Sequence, residues 1–534
     1  MHALVRAFAI AFLGLLLGNS AFVFADDRDD DDNRGRADRT PWTKPVPKAR
    51  CGRSDHTESG LQGQTTPEER LSGDSETAYD CNLELVGKVR GEGAWSQKGP
   101  AYFGDCAYYG TDSNPNMQHR GVTVVDASDP RRPRITAYLD DTISMLDPHE
   151  TLKLNDRRKL LAGSQRDGPG FAVYDVSGNC RHPVLKSDIQ LTGSRAHMGG
   201  FAPDGLTYYV GQTNRGIGGL MAIVDLADPS NPKHLLNWQF MGDGRPHDVN
   251  LNRDGTRLYS GQPGTFGNTG SSIGPNGLVI LDVSDVQFRR PNPQIRIVSK
   301  LFWSDSGQAE QMLPITIKGR PYIISTDESG GQGGVGGFPA ACARGAHPFG
   351  FAQLIDISDE NNPKLVSRLM LEASVNANCQ QQLNDPPDVG GARPDYSGER
   401  CTVDRVRNAT MAACGYRDAG LRVFDIRDPY RPKEIAYYKP GAARTAHLPG
   451  SGGWAPGADR TVDRIAGLPR FVRHGRELHI WFVSDDNGFQ VLRFTNTFKA
   501  RHKDLFEEES DDDDDDDDDG DRRKKNREHR DHDD

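Results

Sequence analysis

GVTVVDASDPRRP at 121–133 and GLRVFDIRDPYRP at 420–432 are one pattern at two places. Each is a glycine, an alternating apolar run ending in aspartate, and a polar turn with proline. The pattern returns as GFAVYDVSGNCRHP (170–183), LMAIVDLADPSNP (220–232), GLVILDVSDV (277–286) and FAQLIDISDENNP (351–363). A degenerate seventh copy is GFQVLRFTN (488–496). A short β-branched run bounded by turn residues predicts a buried strand. Aspartate and serine bond the turn backbone, and proline suits its fixed φ. A further strand follows each turn, as in RITAYL (134–139), PKLVSRL (363–369) and PKEIAYY (432–438).

The other half of the unit lies upstream. PHETLKLNDRRKLLAG (148–163), AHMGGFAPDGLTYYVG (196–211) and PHDVNLNRDGTRLYSG (246–261) each read as two strands about an Asp-Gly or Asn-Asp turn. One repeat is thus four antiparallel strands of roughly 50 residues, the size of a propeller blade. Seven copies predict an all-β protein, a seven-bladed β-propeller. The last copy lacks a fourth strand, and LELVGKV (83–89) has that strand's pattern with no partners of its own. Residues 83–89 are therefore expected to close blade seven.

The copies GVTVVDASDP, LMAIVDLADP and GLRVFDIRDP resemble the LVIVD-repeat β-propeller family across about residues 83–496. The resemblance implies the fold and says little of function, because propellers host binding modules and enzymes alike.

Composition supports a globular reading. The 534 residues carry a net charge of −11, but residues 507–534 alone hold 17 acids and six bases. Residues 26–39 add seven aspartates against four arginines. The part between is close to neutral, and like-charge blocks of this kind read as disordered tails. The acidic balance gives no basic stripe for nucleic acid. Met1 to Ala25 reads as a secretory signal peptide, with Arg6, the apolar run Ala7 to Leu17 and the cleavage pattern Val23-Phe24-Ala25. The expected layout is 1–25 leader, 26–80 polar extension, 81–500 propeller and 501–534 acidic tail. The expectation is an exported monomer, periplasmic or extracellular, with no membrane span after cleavage.

Aligning the first strand of each blade on its glycine places His149, His197 and His247 at one repeat position. Glu310 and Gln311 stand there in blade five, Cys401 in blade six, Ser96 in blade one and Arg470 in blade seven. The first strand of a blade is innermost, so three imidazoles should meet at the channel mouth. Imidazole suits Zn, Cu, Fe and Ni, and three histidines with an open position is the logic of a catalytic metal site. Glu150, Asp248 or Glu310 would orient a ligand or act as a base. The competing reading is structural, with each histidine satisfying backbone groups between blades. Pro246, His247, Asp248, Asp254 and Gly255 are similar to the His-bearing strands of the selenium-binding protein and methanethiol oxidase family, which implies copper. That family's cysteine motifs are absent.

Eight cysteines in an exported chain are disulfide candidates. Cys401 and Cys414 open and close one hairpin, where antiparallel pairing brings them together. Cys342 and Cys379 flank strands of blade five, and Cys81 and Cys106 flank the opening strand of blade one. Cys51 is then left with Cys180. The run Asp511 to Asp519 reads as solvated tail, with loose Ca²⁺ binding as its functional alternative.

Two functions follow. One is a propeller with a channel-mouth histidine cluster for a transition metal or small ligand, extending to a metal-dependent oxidoreductase. The alternative is a non-catalytic extracytoplasmic interaction protein using its faces and acidic tails. A Ca²⁺-dependent lactonase would want several carboxylates at the inner position, where histidines stand.

Overall fold

The repeated aspartate closes a turn. Asp126 accepts the Ser128 N–H at 3.0 Å, and Asp175, Asp225, Asp282 and Asp356 accept from the residue two further on at 2.8–2.9 Å. A second Asx bond follows in most copies, as from Arg131 N–H to Asp129 at 3.1 Å. This bond pattern is the physical content of the repeat. The repeated glycine has an equally local cause. Gly277 sits at φ 148°, and a Cβ there would lie 2.1 Å from the Leu301 carbonyl oxygen on the next strand.

The computed structural model describes residues 40–91, 99–110, 118–211, 219–240, 245–264, 276–330, 337–387, 393–442 and 462–506. Within them, seven antiparallel sheets form a seven-bladed propeller. The first strands are Ala101–Phe103, Lys153–Asn155, Met198–Phe201, Asn250–Leu251, Ser306–Ile317, Cys401–Val403 and Arg470–His474. Those of blades one to six each pack against the first strand of the next blade, so these strands line the axis. Every blade also carries a bulge between its third and fourth strands.

Apolar burial is concentrated between blades, with one buried cluster at each interface. Tyr108 and Val124 of blade one meet Leu161 and Tyr174 of blade two. Removing these faces from water drives the ring together.

Leu83–Val89 pairs antiparallel with Gly488–Phe494 and completes blade seven, with Leu83 opposite Phe494 and Val89 opposite Phe489. The chain segment just before it does a second job. Tyr79–Cys81 adds a fifth strand to blade six, beside Lys433–Lys439. Asn82, at φ 62°, joins the two strands, and its side-chain amide donates to the Arg50 and Ile435 carbonyls.

The propeller boundaries expected at 81 and 500 are narrower than the folded chain. Residues 40–80 strap blades five and six, where Val46 N–H donates to Met370 O and Arg422 binds Glu58 and Glu434. Gln62, Gln64 and Thr65 of this polar segment are buried. At the other end, helix Asn496–Arg501 and the turn Lys503–Leu505 follow blade seven, because Phe498 and Leu505 bury against its core.

Four disulfides form, and no described cysteine is free. Cys342–Cys379 and Cys401–Cys414 pair within blades five and six. The other two correct the expected pairing. Cys81 bonds Cys51, because the strap runs alongside the edge strand Tyr79–Cys81. Cys106 bonds Cys180, because the second strand of blade one faces the outer turn of blade two. This set fits an oxidising, exported environment. No helix among the described residues is long and apolar enough to cross a membrane. The leader, both acidic runs and Ser96 lie outside the described residues.

Candidate metal centre

In each blade the first strand runs away from its histidine position, the second returns and the third runs away again. One end of the ring, the upper end, therefore carries the histidines and both long kinds of connection. The lower end carries mostly short turns, with the helix Ser284–Gln287 in the longest strand connection there. Helices Gly337–Ala343 and Cys379–Asn384 both belong to upper connections. Loops that tolerate insertion on a rigid scaffold are where binding groups concentrate.

The three histidines enter by two backbone devices. His197 N–H donates to Gly211 O at 3.0 Å and His247 N–H to Gly261 O at 2.8 Å, the same ladder position in blades three and four. His149 instead sits in a tight turn, closed by Thr151 N–H to Pro148 O at 2.8 Å, with φ 46°. A non-glycine residue held there is a local strain that the surroundings impose. Ring centroids are 4.7 Å apart for His149 and His197, and 5.0 Å for His197 and His247.

All three Nε2 atoms converge on Glu150. The distances to its carboxylate are 3.4 Å from His149, 3.7 Å from His197 and 3.8 Å from His247. Glu150 is 0% exposed and His247 is 1% exposed. Glu150 is fixed by a parallel bridge to Met198 of blade three.

Behind Glu150 lies a charged layer. Arg400 Nη2 is 3.0 Å from Glu150 and 2.9 Å from Glu310, and Nη1 is 3.5 Å from Asp248. Arg417 pairs with Glu328 at 3.2 Å and with Glu399. Glu328 also lies 3.8 Å from His247 Nε2. Burial pushes the Glu310 carboxyl well above the usual carboxylate range against the pull of Arg400, and Glu399, Glu150 and Glu328 reinforce the shift. Burial drives Lys153 down to about 8, with Arg400 adding to it and the carboxylates opposing. Among the described residues, Arg400, Arg417 and Lys153 are the cations set against Glu150, Glu310, Glu328, Glu399 and Asp248, and Arg417 also pairs with Asp395.

Two aligned positions change meaning. Gln311 is not placed as a ligand, since its amide donates to Cys401 O at 2.9 Å and accepts from Cys401 N–H at 2.7 Å. A bulge opposite Thr326 turns Glu310 inward while Gln311 clamps blade six. Cys401 is also not the histidine equivalent. The blade-six hairpin is longer, with Val403 paired to Ala412 where blade three pairs Phe201 with Tyr208. That shift puts Glu399 in the position, and Cys401 is spent in a disulfide. Arg470 lies over the Tyr102 ring at 5.7 Å. Sequence alignment missed Glu328, Glu399, Arg400 and Arg417; a hairpin two residues longer was the available signal for Glu399 and Arg400.

The residues present fit a metal ion. His149, Glu150 and His197 bring donors within 4.8 Å of one another, as do Glu150, His247 and Glu310. His247 Nδ1 and Glu310 Oε2 are buried without a hydrogen-bond partner. Such atoms are costly unless something else satisfies them. On the lower side, a cleft of about 420 Å³ lies between the first strands of blades two to four. Its lining includes Lys153, Asn155, Phe201 and Leu251, and Lys153 links it to the centre.

No protein-family model matches this chain, and no curated protein sequence does. The LVIVD-repeat and selenium-binding resemblances therefore stand on the quoted residues alone. Among solved structures, the chain is similar to Sqt1 of Saccharomyces cerevisiae, at 9% identity and TM-score 0.45 over 77% of this chain and 100% of that one. It is similar to the periplasmic gluconolactonase PpgL of Pseudomonas aeruginosa, at 12% identity and TM-score 0.43 over 72% and 98%. A putative 6-phosphogluconolactonase of Bacteroides fragilis is similar at 10% identity and TM-score 0.42 over 72% and 92%. Likeness at this level carries nothing about ligand or reaction.

Proposed function

We propose that this chain is an exported propeller of the LVIVD-repeat type that holds a divalent transition metal on the channel axis and acts there on a small ligand. The observation that carries the reading is the convergence of His149, His197 and His247 Nε2 within 3.4–3.8 Å of one buried carboxylate, Glu150. A structural histidine needs only backbone partners, and three such residues have no reason to share one carboxylate.

The donor set narrows the metal. Imidazole with carboxylate suits iron(II), zinc(II) or manganese(II), and histidines with one carboxylate and open positions favour iron(II). The copper suggested by sequence resemblance finds no thiolate among the described residues, since every described cysteine is in a disulfide. Glu310, Glu328 and Asp248 serve as the outer carboxylates that set ligand orientation. A metal held by these residues would supply Lewis-acid or redox chemistry to the ligand, and a metal-dependent oxidoreductase is the reaction class we propose for it.

Metal analysis of the purified chain tests this. About one equivalent of metal is expected, falling at least tenfold on dialysis for His247→Ala, since metal affinity depends on each ligand. Less than about a tenth of an equivalent in the parent, after loading with iron(II), zinc(II) and manganese(II) in turn, overturns the reading.

A further inference from the structure

The cleft of about 420 Å³ at the lower end has an apolar wall of Phe201, Val249 and Leu251. A space of this size with few polar groups is the common form of a small-molecule site. Most of its polar lining is already engaged. Asn155 donates to the Ala202 and Pro203 carbonyls at 3.4 and 3.3 Å, and Asn250 donates to Asp248. Asp156 and Arg157 stand exposed in the hairpin at the rim. The remaining group is the amine of Lys153.

The fold places that amine. On the first strand of blade two, Leu154 packs into the interface with blade one. Lys153 and Asn155 therefore share the opposite face, and the bonds of Asn155 show that this face looks at blade three. Gly200 holds the ladder position of Lys153 in blade three, opposite Tyr209 as Lys153 is opposite Ala162. A Cβ on Gly200 would lie 2.2 Å from Val249 O, so blade three projects no side chain at this level. The space beside Lys153 stays open. Among the described residues its amine makes no hydrogen bond or ion pair.

We propose that Lys153 is a carbonyl-capturing amine, and that the cleft takes a small aldehyde or ketone with its apolar body against Phe201, Val249 and Leu251. The neutral nitrogen adds to the carbonyl carbon, and a proton passes from nitrogen to the carbonyl oxygen. The C–O bond then breaks and the second nitrogen proton departs, so amine plus carbonyl give an imine and one water. No oxidant or reductant is consumed. An ammonium cannot make this attack, and burial beside a second cation is a recognised way to free the lone pair. Burial, with the Arg400 guanidinium, holds the amine down at about 8 against the pull of Asp248, Glu150 and Glu310. At pH 8 roughly half of it is neutral, against less than about 1% of a lysine titrating near 10.4.

Reductive trapping on the full-length chain tests this. Butanal with cyanoborohydride turns the imine into a secondary amine that peptide mass spectrometry locates. At pH 8, Lys153 is expected to label at least about tenfold faster than the exposed Lys186 and Lys300, because far more of it is neutral. Its rate should saturate with butanal, as binding in a cleft requires, while the exposed lysines respond linearly. Its pH midpoint should lie near 8. Lys153→Arg keeps the charge and should lose the saturable component alone. The same selectivity is expected after chelation, so the result stands apart from the metal reading. Labelling of Lys153 no faster than that of Lys186, a rate linear in butanal, or the midpoint of an ordinary lysine would each overturn the proposal.

Discussion

Glu399 of blade six occupies the ladder position that His197 holds in blade three. Each donates its backbone N–H to the glycine that ends the second strand, Glu399 to Gly415 at 2.9 Å and His197 to Gly211 at 3.0 Å. One backbone site thus presents imidazole on one side of the axis and carboxylate on the other. The propeller repeat supplies the position, and the side chain supplies the chemistry.

Gln311 should matter for stability and not for metal. Its amide satisfies both backbone groups of Cys401 in a buried setting. Gln311→Ala leaves a donor and an acceptor unpaired, a cost of about 1–3 kcal/mol. A lower denaturation midpoint with unchanged metal content is expected. A loss of metal at unchanged stability would show that Gln311 belongs to the centre after all.

The pH dependence of stability has a specific source at the upper end of blade seven. Burial, together with the Asp486 carboxylate, raises the Asp463 carboxyl to about 7. In the unfolded chain the same group titrates near 3.9. Between those values the folded chain keeps a proton that the unfolded chain has lost. Stability therefore falls as pH rises across that window and levels off above about 7. Denaturant melts at pH 5 and 8 should show this decline. Asp486→Asn removes the like-charge contribution and should flatten it, and an unaltered slope would assign the decline to other groups.

Closure gives a third test. A chain beginning after Val89 lacks the partner of Gly488–Phe494 and leaves a bare edge on blade seven. Unpaired edges invite association with other chains. Loss of a single cooperative unfolding transition, with soluble oligomers in light scattering, is expected. Unfolding identical to that of the full chain would mean that the pairing of residues 83–89 contributes nothing.

The ring was legible because its signals are local and repeated. The apolar run recurs in every copy, the Asx turn in six of the seven, and a glycine that meets a neighbouring carbonyl in several, so even the closing strand could be assigned by pattern. His149, His197 and His247 were legible for the same reason. The carboxylate and arginine layer was not, because its residues reach the axis through departures from the repeat. Glu310 depends on a bulge, Glu399 and Arg400 on a longer hairpin, and Glu328 on an extended second strand. Gapless alignment assigns such residues to the wrong face. The disulfides divide the same way. Cys401 with Cys414 follows from one hairpin, whereas Cys106 with Cys180 depends on how two blades face each other.

The seam has a consequence for how the molecule is made. Residues 83–89 leave the ribosome early, and their partner Gly488–Phe494 follows about four hundred residues later. Until that late strand emerges, every earlier blade belongs to an open arc with one unfinished interface. The Cys51–Cys81 bond fastens the waiting strand to its strap without needing the distal end of the chain. The earlier segment is thus held ready to receive the later one, and the ring gains its full cooperativity only once Gly488–Phe494 has been made.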